Sequence, residues 1–96
     1  MISTWNGMKI AKAIRPPGGD IVVYLIDSDE SRNAVFDNIV AVKGRDLIWK
    51  LHPPGVPDYW IDMAYDGSFI TASSFSCWTF EVDLLTGEVI STSFSK

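Results

Sequence analysis

One cysteine and one histidine are all that this 96-residue chain holds of two chemically versatile residue types, and beyond position 50 it has a single Lys or Arg. Cys77 alone cannot form an internal disulfide or a multi-cysteine metal site, which favours a reducing compartment, with the cytoplasm as the default. With His52 as the only imidazole, a metal site would lean on carboxylates, and a Ser-His-Asp centre would have to recruit His52 from a loop. There is no phosphate-cradling glycine-rich loop and no metal-spaced pair, so no cofactor and no metal are expected. No apolar run approaches the length of a membrane span, and Met1 to Gly7 has no apolar segment behind a basic head, so a soluble protein is expected. Residues 1–50 carry seven Lys or Arg against six Asp or Glu, and residues 51–96 one against six, leaving halves of +1 and −5. An acidic second half argues against nucleic acid and suits a basic partner or plain solubility.

What the chain has is apolar residues, 47% of the total, in short runs cut by turn signals. That is enough for one domain burying roughly 60 to 65% of its unfolded surface without a staple. From Asp58 to Lys96 the sequence reads as four strands. Tyr59 to Tyr65 and Phe69 to Ser74 flank Asp66-Gly67, which predicts a two-residue hairpin. Cys77 to Val82 and Val89 to Phe94 flank Asp83-Leu84-Leu85-Thr86-Gly87-Glu88, where Asp83 can accept from the turn's amides and Gly87 is expected at positive φ. In the first half, Met8 to Ile14 fits a strand. Arg15-Pro16-Pro17-Gly18-Gly19-Asp20 is a turn, because prolines remove donors and glycines raise backbone entropy. Ile21 to Ile26 is continuously apolar, as in a strand covered on both faces. Asp27 to Asn33 is a polar loop in which Ser28 or Asp29 can cap one helical turn through Val35. Asn38 to Lys43 and Asp46 to Leu51 flank Gly44-Arg45, setting Lys43 opposite Asp46 in a third hairpin. The expectation is an all-β domain of seven or eight antiparallel strands in two meander sheets, residues 8–51 and 58–94, with a β-sandwich as the other packing.

Those turns imply a register. Pairing across Asp66-Gly67 sets Trp60 opposite Ser73, Asp62 opposite Thr71 and Ala64 opposite Phe69 on one face, with Ile61, Met63, Ile70 and Ala72 on the other. A tight turn at Phe75-Ser76 adds Trp78, Phe80 and Val82 to the first face. Both faces are then partly apolar. One needs cover from outside, which predicts self-association through a face bearing Ile61, Met63, Ile70 and Ile90.

The hairpin from Asn38 to Lys50, followed by Asp83-Leu84-Leu85-Thr86-Gly87-Glu88-Val89-Ile90, resembles the blade repeat of quinoprotein (PQQ-like) propellers, whose blades end in Asp, two residues, Thr-Gly-Lys, an apolar pair and Trp. Val42 and Val82 stand 40 residues apart, near the period of other propeller repeats. Glu88 replaces the usual Lys, Ser91 stands where the Trp would fall, and the first repeat lacks Asp-x-x-Thr-Gly. The resemblance therefore implies strand order and no cofactor, and two blades fall short of the four to eight that close a propeller.

The functional candidate is a surface. Three prolines stiffen residues 52–58, which lead into Tyr59 and Trp60, and rigid aromatics beside a stiff loop make interface anchors. His52, Asp58, Tyr59, Trp60 and Asp62 are the candidate partner-binding residues of a non-catalytic module that self-associates or binds a protein. An inhibitor- or immunity-type protein offering its acidic half to a basic target is a second reading. A small hydrolase using His52 with Asp58 or Asp62 is the third. Cys77, with no basic residue near it, reads as a packed side chain.

Overall fold

The structure, a computed structural model, describes residues 4–31 and 33–94. It is all-β, in two sheets of five strands each. The first takes the order β1 (Thr4–Trp5), β2 (Met8–Ile14), β3 (Ile21–Ile26), β5 (Ile39–Lys43) and β6 (Asp46–Leu51). In the second, β10 (Val89–Phe94), β9 (Trp78–Asp83), β8 (Phe69–Ser74) and β7 (Asp58–Tyr65) form a meander, and β4 (Val35–Phe36) lies beyond β7. Eight of these are the expected strands; β1 and β4 are two-residue additions, and β4 runs parallel to β7, pairing Val35 with Asp58 and Phe36 with Tyr59. The only helical turn among the described residues is Ser28–Glu30, of 3-10 type, and Asp27 rather than Ser28 or Asp29 caps it, its carboxylate accepting from the Asp29 amide.

Alternation puts Val23, Leu25, Ile39, Ala41, Trp49 and Leu51 on one face of the first sheet. There they meet Trp60, Met63, Ile70, Ala72 and Val82 of the second. Full burial of such side chains contributes about 1.5–3 kcal/mol each. The far face of the first sheet has its own smaller core, Tyr24, Ile26, Val40 and Val42, under Trp5, Met8 and Phe36. This explains why Ile21–Ile26 is apolar throughout.

The two sheets are tied by Asn38, which is fully buried. Its backbone carbonyl accepts from the Ile26 amide at 2.7 Å. Its side-chain amide donates to the carbonyls of Ile26 (2.9 Å) and Trp60 (2.8 Å), and its Oδ1 accepts from the Trp60 amide at 2.7 Å. One side chain thus serves the edge of β7 as a neighbouring strand would, where no strand fits.

The Gly44-Arg45 turn forms as expected, with Lys43 opposite Asp46. Two other turns depart from expectation, and each departure has a geometric cause. At the β7–β8 hairpin Tyr65 pairs with Ile70, so the turn centres on Gly67-Ser68. Asp66 stays at the flank because its carboxylate accepts from the Ser68 and Phe69 amides at 2.8 Å, which the two-residue Asp66-Gly67 turn would forbid. Between β8 and β9 the turn has three residues, Phe75 to Cys77, closed by the Cys77 amide on the Ser74 carbonyl and with Cys77 at φ 73°. One extra residue reverses the side-chain phase of the strand that follows. Phe80 consequently pairs with Ala72, and Val82 with Ile70, on the core face. A register shift between Trp60 and Asp62 turns Trp60 inward as well. The expected Trp60–Asp62–Phe80 row does not form. The outer face of this sheet carries Asp62, Thr71, Ser73, Thr79 and Glu81 instead. Met63 (1% exposed) and Ile70 (0%) are core, so the apolar outer face expected to drive self-association is absent, and only Ile61 and Ile90 of that group reach solvent.

Candidate interaction surface

Of the five residues singled out in the sequence, two point inward. Trp60 is 1% exposed, donates Nε1–H to the Leu51 carbonyl at 2.9 Å and meets Phe80 edge-on at 5.2 Å, so it is a core pillar and not an anchor. Asp58 is also buried. Its Oδ1 accepts from the Tyr59 amide (2.9 Å) and the Ser76 amide (3.0 Å), and its Oδ2 from the Gly55 amide (2.9 Å) and the Ser76 hydroxyl (2.5 Å). Burial pushes this carboxyl up, but the Ser76 hydroxyl and the three amides together outweigh it and hold the group below the ordinary carboxylate value. Asp58 therefore clamps the proline loop to the β8–β9 turn.

The other three remain accessible but are dispersed. Tyr59 is half-buried and stacks on the exposed Phe75 at 5.1 Å. Asp62 is exposed on β7; the Met63 amide and the Lys12 ammonium hold its carboxyl below the ordinary value, and Lys12 also donates to the Met63 carbonyl at 2.7 Å. His52 pairs with neither Asp58 nor Asp62. Its Nδ1 lies 2.6 Å from Asp37 Oδ1, and Lys50 approaches the other Asp37 oxygen at 3.9 Å. Among the described residues no serine or cysteine lines the cleft that this dyad borders, so they assemble no Ser-His-Asp centre there. No group of three or more His, Cys, Asp or Glu among the described residues is placed to hold a metal, and no helix among them is long and apolar enough to cross a membrane. Cys77, expected to be packed, is exposed, because it occupies the positive-φ position of the three-residue turn.

Of the exposed large hydrophobics among the described residues, Leu85, Val89, Ile90 and Phe94 gather at one sheet edge, while Leu47, Ile48, Val56, Ile61 and Phe75 are spread over the rest of the surface. β10 ends its sheet, and all six of its residues are exposed, including Val89, Ile90 and Phe94. Phe94 lies 5.2 Å from the half-buried Trp78. Leu85, in the preceding turn, is also exposed. That turn is anchored from beneath: Asp83 Oδ1 accepts from the Leu85 and Thr86 amides, Gly87 takes φ 75°, and Trp49 of the other sheet donates Nε1–H to the Leu84 carbonyl at 2.8 Å. β10 therefore starts from a rigid point.

Residues 89–94, Val-Ile-Ser-Thr-Ser-Phe, contain no charge and no proline, the usual means of blunting a free edge. One bulge, at Ile90, interrupts the ladder and leaves Ser91–Phe94 in regular register with Trp78–Glu81. In the first sheet the β6 edge is guarded by Asp46 and Lys50 along the strand and by the β9–β10 turn seated on Trp49. Asn38, Asp37 and Ser76, which hold these arrangements together, had no distinguishing mark in the sequence beyond being polar residues beside apolar runs. Searches against protein-family models, curated proteins and solved structures find no match to this chain.

Proposed function

We propose that this chain is a non-catalytic interaction module that associates by adding its β10 edge to the β10 edge of a second copy. The observation that carries the reading is a fully exposed, uncharged, proline-free edge strand. Such a strand offers a row of unpaired amides and carbonyls as a template for another chain. Two copies related by a two-fold axis pair β10 antiparallel, joining the five-stranded sheets and placing Ile90, Thr92 and Phe94 of each beside those of the other. The neutral strand allows this although each chain carries a net charge of −4. The likeness to quinoprotein blades belongs to the same proposal as architecture only: two four-stranded meanders packed face to face are what neighbouring blades would present.

Light scattering at tens of micromolar tests the reading. A mass near twice 10.7 kDa is expected, and the double variant Ile90→Lys/Thr92→Lys, altering two exposed residues, should return to one chain with an unchanged circular-dichroism spectrum. A wild-type chain that stays monomeric to hundreds of micromolar would refute it.

A further inference from the structure

An open cleft of about 390 Å³ lies on the far face of the first sheet, away from β10. Its apolar lining includes Trp5, Met8, Phe36, Val40 and Leu47, and Asp37, Lys50 and His52 line its polar side. The volume falls in the lower part of the roughly 300–1,000 Å³ range of small-molecule sites, which are mostly apolar with a few placed polar groups. Two aromatic rings and a thioether favour a flat, polarisable body.

The polar side decides the charge of the ligand. Both oxygens of Asp37 are engaged, Oδ1 by His52 Nδ1 at 2.6 Å and Oδ2 by the Lys50 ammonium at 3.9 Å. The single carboxylate of the cleft is thus already compensated and offers little to a cation. Lys50 keeps donors free, since its side chain is 59% exposed and its one ionic contact is long. His52 is held at Nδ1 by Asp37 and so steadies that carboxylate beside Lys50. What this side still supplies is the N–H donors of the Lys50 ammonium.

We infer that the cleft is a binding site for a small aromatic carboxylate, its ring system against Trp5, Met8 and Phe36 and its carboxylate on the Lys50 ammonium. The site is independent of β10 pairing.

Titration with 1-naphthoate, followed by NMR shifts of the Met8 and Val40 methyl groups, tests this, with 1-naphthalenemethanol and 1-naphthylmethylammonium as neutral and cationic counterparts. The expected result is saturable sub-millimolar binding of the carboxylate, about tenfold weaker binding of the alcohol, and a loss of about tenfold in Lys50→Ala, the scale of one charge-assisted hydrogen bond. Lys50 is exposed, so this variant keeps the fold. Ammonium binding as tight as that of the carboxylate, unchanged affinity in Lys50→Ala, or no saturable shift at millimolar probe would each overturn the inference.

Discussion

Replacing Asn38 by Asp tests the joint between the sheets with almost no change in shape. In the native structure the Asn38 amide nitrogen donates to two buried carbonyls, of Ile26 and Trp60, while Oδ1 accepts from the Trp60 amide. In Asn38→Asp an ionised oxygen faces both carbonyls, and two donor bonds become oxygen–oxygen contacts in a site with no exposure. Each buried polar group left unpaired costs about 1–3 kcal/mol, and a charge without a donor costs more. Two carbonyls and one carboxylate therefore put the loss at roughly 4 kcal/mol or above. A domain of this length has about 5–14 kcal/mol in all. With a urea slope of about 1.5 kcal/mol/M, the midpoint should fall by some 2.5 M or the variant should be unfolded in buffer. Asn38→Ala, which removes the donor without adding charge and leaves room for water to re-pair some groups, should lie between the two at about 2–4 kcal/mol. If Asn38→Asp at pH 7 unfolds within about 0.3 M of the wild-type midpoint, the side chain is not the joint and the sheets are held by apolar packing alone.

The same reasoning covers three further sites. Gly87→Val should cost at least about 2 kcal/mol, because a Cβ at φ 75° is strained and would stand 2.6 Å from the Trp49 ring; denaturant midpoint and tryptophan fluorescence should shift together. Asp58 is held below the ordinary carboxylate value, so its stabilisation is complete above the unfolded value of about 3.9 and is lost as pH falls through the lower folded value. Thermal melts should accordingly show a stability decline below about pH 4, and Asp58→Asn should flatten that decline while lowering stability at pH 7; an unchanged acid limb would contradict the clamp. Met63→Lys should abolish the folded state by circular dichroism and Ile61→Lys should leave the melting temperature within a few degrees, since one is 1% and the other 54% exposed; equal tolerance would reverse the assigned faces.

The strands and most of their ends were legible in the sequence because they depend on local chemistry: apolar runs bounded by Pro16-Pro17-Gly18-Gly19, Gly44-Arg45 and Asp83 to Gly87. Gly87 was legible for the same reason, since a tight turn after Asp-Leu-Leu-Thr demands positive φ, and it is found there. Which face each strand of the second sheet buries was not legible. Side-chain phase has a period of two, so the third residue of the Phe75–Cys77 turn and the irregularity beside Trp60 were enough to move Phe80, Val82 and Trp60 into the core and leave a polar outer surface. The candidate site followed that phase. Trp60 and Asp58, attractive as exposed anchors beside a stiff loop, became a pillar and a clamp, and Val89, Ile90 and Phe94 were left exposed along β10. His52 met Asp37, fifteen positions away, and not the carboxylates nearer in sequence, because the β5–β6 pairing sets Ile39 opposite Leu51 and so brings the residues just before β5 beside those just after β6. Asn38 shows the division most plainly. A lone polar residue before Ile39-Val40-Ala41-Val42 looks like the end of a strand, and only β3, 12 residues back, and the β7 edge, 22 residues on, give its amide three backbone partners to satisfy. Local sequence determined where the chain extends and turns; tertiary packing, through one-residue changes of phase and long-range pairing of buried polar groups, decided which side chains became core, clamp or open edge.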